Sequence, residues 1–191
     1  QAYVIIGLAA PPFNHEDYFS MDLLNYILGQ GVNPLIQLAL RGRIKLAEGA
    51  FTRYIPLKYG GAFLVYVITE PGHIKTVERA IVRFLKTTRT FRYAKKDFLA
   101  ENQSSVFDYL ESAQNQVGLN AEQAREEGLH EAIAYAKYML LAAKEKEMKY
   151  KNTIETIDSS QLRNTAAKYL SGEKYVVVYL LPNPGVDRGK R

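Results

Sequence analysis

The sequence predicts an α+β domain: a mainly antiparallel sheet with helices packed largely on one of its faces. Three observations carry that expectation. Strand-like runs stand near residues 2–9, 46–54, 61–69 and 174–181. The helical stretches are gathered mostly into the second half of the chain, instead of alternating one by one with strands as in a βαβ sheet. Each of them carries a single apolar stripe, which one sheet face can cover. At 191 residues, with 47% hydrophobic and 24% charged residues, the chain has the makeup of one globular domain. That domain is expected to span residues 1–182, with 183–191 as a disordered tail or linker because the segment has no apolar anchor.

The elements follow in order. "YVIIGLA" is β-rich and stops at Pro11-Pro12. Asn14 is the expected N-cap of a first helix, with Glu16 and Asp17 in its first turn, and Tyr18, Met21, Leu24 and Leu28 recur at helical spacing until Gly29 and Gly31. Pro34, well placed at a first helical position, opens the short helix "PLIQLALRGR". "LAEGAFTRY" and "GAFLVYVIT" flank "IPLKYG" and read as a hairpin. Ile74, Val77, Ile81, Phe84 and Leu85 then form the stripe of a helix lying on the sheet. From Lys95 to about Lys149 the pattern is helical with breaks near Gly118 and Gly128, its first buried face marked by Phe98, Val106, Tyr109, Leu110, Ala113 and Val117. Asp158 and Gln161 have capping-box spacing before "LRNTAAKYL", which Gly172 closes. The last strand is "KYVVVYLL", ended by Pro182.

Composition excludes several chemistries. With no cysteine there are no disulfides, no thiolate metal sites and no cysteine nucleophile; the compartment stays open, the periplasm or another oxidising one included. No apolar run reaches the roughly 18 residues that span a bilayer. The chain begins at Gln1 and runs directly into a strand, as expected of a processed product or a segment of a longer polypeptide. A net charge of +5 permits an anionic partner without demanding one. The stretch "RFLKTTRTFRYAKK" is basic and aromatic, yet Phe84 completes an apolar stripe and no nucleic-acid module surrounds it, so no nucleic-acid partner is expected.

One short stretch raises a metal question. "HEDYF" opens like the zinc motif H-E-x-x-H, but Phe19 stands where the second histidine ligand belongs. His15, His73 and His130 are the three histidines, and none has a partner at ligand spacing. A zinc site needs three convergent protein ligands, so no metal is expected on this chain.

The order of these segments carries a resemblance. "HEDYFSMDLLNY", then "ILGQGVNPLIQLALRGRIKLAEGAF", the hairpin with its following helix, and "IDSSQLRNTAAKYL" before a closing strand are together similar to the C-terminal, non-catalytic half of the pitrilysin/insulinase family of zinc metallopeptidases. Mitochondrial processing peptidase and the core proteins of the cytochrome bc1 complex share that module. The resemblance implies a clamshell of two or more such modules around a peptide. It places zinc on a companion module bearing H-x-x-E-H, either in the same polypeptide or in a partner chain. This chain would then be the inert wall of the chamber opposite the zinc, with peptide as the substrate; the alternative is a catalytically inert scaffold or assembly subunit derived from such a peptidase.

Active relatives usually contribute from this module an arginine and, seven residues later, a tyrosine. Arg41 matches the arginine, whereas Glu48 stands at the tyrosine position. A phenol donates a hydrogen bond to a developing oxyanion; an ionised carboxylate only accepts one. Arg41 has two readings, substrate contact and a helix-end cation answering the dipole. A pair between Arg41 and Glu48 is expected across the intervening turn.

Overall fold

The computed structural model describes residues 1–31, 33–41, 46–94, 108–126 and 144–183, with isolated helical positions between 132 and 140. Four strands form one antiparallel sheet in the order β2-β3-β1-β4: β1 Ala2–Ala10, β2 Gly49–Pro56, β3 Gly61–Thr69 and β4 Val176–Leu180. Among the described residues, the α-helices beside it are α1 Tyr18–Asn25, α2 Leu35–Arg41, α3 Ile74–Thr88, α4 Tyr109–Glu126, α5 Lys144–Thr156 and α6 Ser159–Tyr169. The expected α+β class and antiparallel sheet are what this chain has.

Strict alternation along the strands assigns the faces. Val4, Ile6 and Leu8 of β1 and Phe63, Val65 and Val67 of β3 are buried under the helices. Val77, Ile81 and Leu85 of α3 press onto that face, so the stripe read from the sequence is its packing surface. Burying a side chain of this size contributes about 1.5–3 kcal/mol. α6 starts as expected: Gln161 N–H donates to Asp158 Oδ1 at 2.9 Å and Asp158 N–H to Gln161 Oε1 at 2.8 Å. Just beyond its end Gly172 sits at φ +67°, a backbone state that costs a side chain strain.

Several boundaries differ from the sequence reading: β4 covers only Val176–Leu180 of the expected 174–181, and the others have local reasons. The first helix begins at Tyr18, not after Asn14, because residues 13–17 turn on Pro12, whose carbonyl accepts from His15 N–H at 3.1 Å. Beyond Asn25 it widens into a π-helical turn, Tyr26–Gln30. β2 begins at Gly49, since residues 46–48 reach β3 by single bonds, Thr69 Oγ1 to Leu46 O at 2.7 Å and Glu48 N–H to Ile68 O at 2.9 Å. Gly118 lies inside α4 and breaks nothing; its Cβ position is open, and a mid-helix glycine costs only about 1 kcal/mol. Phe98, Val106, Gly128 and the tail from residue 184 onward lie outside the described residues.

Candidate functional site

Among the described residues, no helix covers the second face of the sheet. Register places Tyr3 and Ile5 of β1, Phe51 of β2, Leu64 and Tyr66 of β3 and Val178 of β4 on it together. Phe51 and Tyr66 stack in parallel with centroids 4.7 Å apart. Exposure reaches 44% at Phe51, 47% at Val178, 51% at Leu180 and 69% at Val176. Arg53 is the single charged side chain that the four strands turn to this side. Sheets that face water on one side normally alternate apolar with polar residues; strands apolar at both parities belong to sheets covered twice. "AYVIIGLAA" and "GAFLVYVIT" are apolar at both parities, and that was the signal in the sequence for a second cover.

Glu48 stands at one end of this sheet, exposed, in the bend before β2. Its carboxylate accepts from Gln1 Nε2 at 2.6 Å. Arg41 is the last residue of α2, and its side chain and the link 42–45 lie outside the described residues, as does the expected Arg41–Glu48 pair.

The histidine question resolves through partners. Among the described residues, His15, Glu16 and Asp17 are the one group whose ligand atoms, within 4.8 Å of one another, could hold a metal. Two of the three, His15 and Asp17, are already engaged. His15 Nδ1 accepts from Asp17 N–H at 3.0 Å. Asp17 Oδ2 accepts from Lys168 Nζ at 2.7 Å and Tyr169 Oη at 3.0 Å. Burial alone would raise the Asp17 carboxyl, but the Lys168 and Tyr169 hydrogen bonds outweigh it and hold the group low. Lys146 adds a second ammonium, donating to the carbonyls of Phe13 at 3.1 Å and His15 at 2.8 Å. Two cations beside three consecutive residues on one turn do not fit a zinc centre; they tie α5 and α6 to the turn before α1. His73 lies 4.0 Å from Glu70 and is half-buried, and His130 is outside the described residues.

The aromatic residues of the basic stretch turn inward. Tyr93 is fully buried, its hydroxyl donating to Thr88 O at 2.6 Å, and Phe91 packs edge-on against Tyr93 and Tyr109. These rings serve the core and offer no stacking platform for bases. No helix among the described residues is long and apolar enough to cross a membrane.

Sequence reading missed two groups on the sheet edges. At β4, Tyr179 Oη donates to Glu78 Oε2 at 2.6 Å and Tyr175 Oη to Glu78 Oε1 at 3.2 Å, while Lys75 Nζ donates to Tyr179 Oη at 2.8 Å. The Tyr179 hydroxyl, above all, holds the Glu78 carboxyl below its usual range. At β2, Gln30 and Gln37 donate side-chain amides to backbone carbonyls. Contacts across a hundred residues leave no local spacing to read.

Fold and site together define a single α+β module, an antiparallel sheet whose helices lie on one face among the described residues. Residues 1–104 match the family model described as the peptidase M16 inactive domain, and the chain belongs to that family. It is 29% identical over 124 residues to the zinc protease PqqE of Helicobacter pylori, a stretch that is 63% of this chain and 28% of that protein. It superposes on an inactive peptidase domain from Bordetella parapertussis with a TM-score of 0.82 at 15% identity, covering 99% of this chain and 95% of that one. A protease from Helicobacter pylori gives 0.79 at 21% identity over 95% of this chain, which spans 41% of that longer one.

Proposed function

We propose that this chain forms the non-catalytic wall of a zinc endopeptidase, its open sheet face turned toward a zinc-bearing companion module and the peptide held between them. The single observation that carries the reading is that face: four strands, apolar at the parity that no helix covers, with one charge among them. Exposed apolar surface of this continuity marks an interaction site. A companion packed along part of it leaves the remainder as chamber wall, where extended peptide meets apolar and aromatic side chains.

In this reading Arg41 and Glu48 lie at the rim of the wall, joined by the seven-residue step from the end of α2 to the start of β2. Glu48 accepts hydrogen bonds and cannot donate one to an oxyanion, so the wall contributes shape and peptide contact and no transition-state donor. Zinc and its activated water belong to the companion.

The test measures peptide turnover by the zinc-bearing companion with and without this chain. Addition is expected to raise kcat/KM, and Glu48→Tyr to raise it by a further tenfold or so, the scale of one added transition-state hydrogen bond. Assembly of the two with turnover unchanged by this chain would make it a scaffold and contradict the wall.

A further inference from the structure

The two edges of the sheet are finished differently. On β2 the outward carbonyls of Ala50 and Thr52 accept from Gln37 Nε2 at 3.2 Å and Gln30 Nε2 at 3.3 Å. Gly29 lies so close that a Cβ there would fall 2.2 Å from the Thr52 nitrogen. That edge is closed by its own helices.

The β4 edge is open, and the register shows which atoms it offers. With Ala50 and Thr52 directed outward, Phe51 and Arg53 bond to β3, because antiparallel residues alternate between the two sides of a strand. Carried across β3 and β1, the same alternation turns Tyr3, Ile5 and Gly7 toward β4 and their partners Leu180, Val178 and Val176 back toward β1. Val177 and Tyr179 therefore aim N–H and C=O out of the sheet. No hydrogen bond reaches those groups among the described residues.

The strand is also prepared to receive a neighbour. Residues 175–181 contain no charge and no proline, the devices that ordinarily keep an edge from pairing. The bonds from Tyr175 and Tyr179 to Glu78 fasten β4 to α3, so little ordering remains for an incoming strand to impose.

We propose that the outer edge of β4 docks an extended peptide segment of the substrate, which joins the sheet as a fifth strand. One alternate set of its side chains lies beside Val176, Val178 and Leu180 and is apolar. The other set faces Lys75 and Glu78 on α3 and is polar. Five residues at about 3.3 Å each give about 17 Å of edge, room for one short extended segment. The inference rests on the wall reading only for the source of the peptide.

The test uses this chain alone, isotope-labelled, with a capped nonapeptide of alternating valine and threonine ending in lysines. Saturating peptide is expected to slow hydrogen exchange at the Val177 and Tyr179 amides by tenfold or more and to leave Ala50 and Thr52 unchanged. N-methylation of one alternate set of peptide nitrogens should weaken binding by tenfold or more, and methylation of the other set should not. This peptide-side control does not depend on any variant folding. Unchanged exchange at Val177 and Tyr179, slowing at β2 instead, or equal effects of the two methylated sets would overturn the proposal. So would slowing that grows with protein concentration in the absence of peptide, which would make a second copy the occupant. Stimulated turnover with no peptide at β4 would remove this inference and leave the wall standing. Protected Val177 and Tyr179 amides without stimulated turnover would support the inference and remove the wall.

Discussion

The two faces of this sheet are made of the same kinds of residue, and only one of them is covered. Phe63, Val65 and Val67 of β3 lie under helices, while Leu64, Tyr66 and Ile68, one position along each, stand on the side without any. A sheet that worked as an independent unit would put threonine, lysine and glutamate at the second set. Here the second set is apolar, so the fold is complete as a core and incomplete as a surface. The covered face sets stability; the open face is the one to which the proposed association is assigned.

Substitutions can break that division, beginning with the largest effect. Phe63→Ala on the covered face is expected to cost about 3–5 kcal/mol in denaturant unfolding, the range for a buried phenylalanine. Gly29→Ala drives a methyl into the Thr52 backbone and should cost about 1–3 kcal/mol, with Gln30 displaced from the β2 edge. Tyr179→Phe removes the hydroxyl that links Glu78 and Lys75 and should cost about 1 kcal/mol. Glu78 also gives a pH signature. Its folded-state carboxyl titrates below the usual 4.5, so its contribution is present above that value and lost as pH falls beneath it. The stability difference between the native chain and Glu78→Gln should therefore shrink on acidification from neutral pH; a difference constant down to the acid limb would contradict the clasp. Val178→Thr on the open face should change stability by no more than about 0.5 kcal/mol, and a loss as large as that of Phe63→Ala would mean that the open face is part of the core.

Much of this architecture was legible in the chain, and the reason is periodicity. The α3 stripe, the hairpin and the capping box at Asp158 and Gln161 depend on neighbours within a few residues, which spacing reports directly. Asn14 misled because Pro12 captures the chain into a turn before a cap can form, a competition between two local signals. The clasp of Glu78 with Tyr175 and Tyr179 was illegible, since those residues meet only after β4 returns to the edge. The open face was legible and unread: the nine residues of β3 hold almost nothing but apolar side chains, which contradicts a sheet covered once. Glu48 was visible by its position seven residues after Arg41, but its observed partner, Gln1, stands 47 residues away in the chain.

The most direct test of the central claim is the affinity between this chain and the proposed zinc-bearing companion module, compared for two exposed apolar positions. Phe51→Lys puts a charge on the open face, beside Tyr66, and Leu119→Lys puts one on the outer side of α4. The account predicts that Phe51→Lys weakens assembly by tenfold or more while Leu119→Lys leaves it unchanged, both variants unfolding as the parent does. Equal affinity for the companion in the two variants would contradict it.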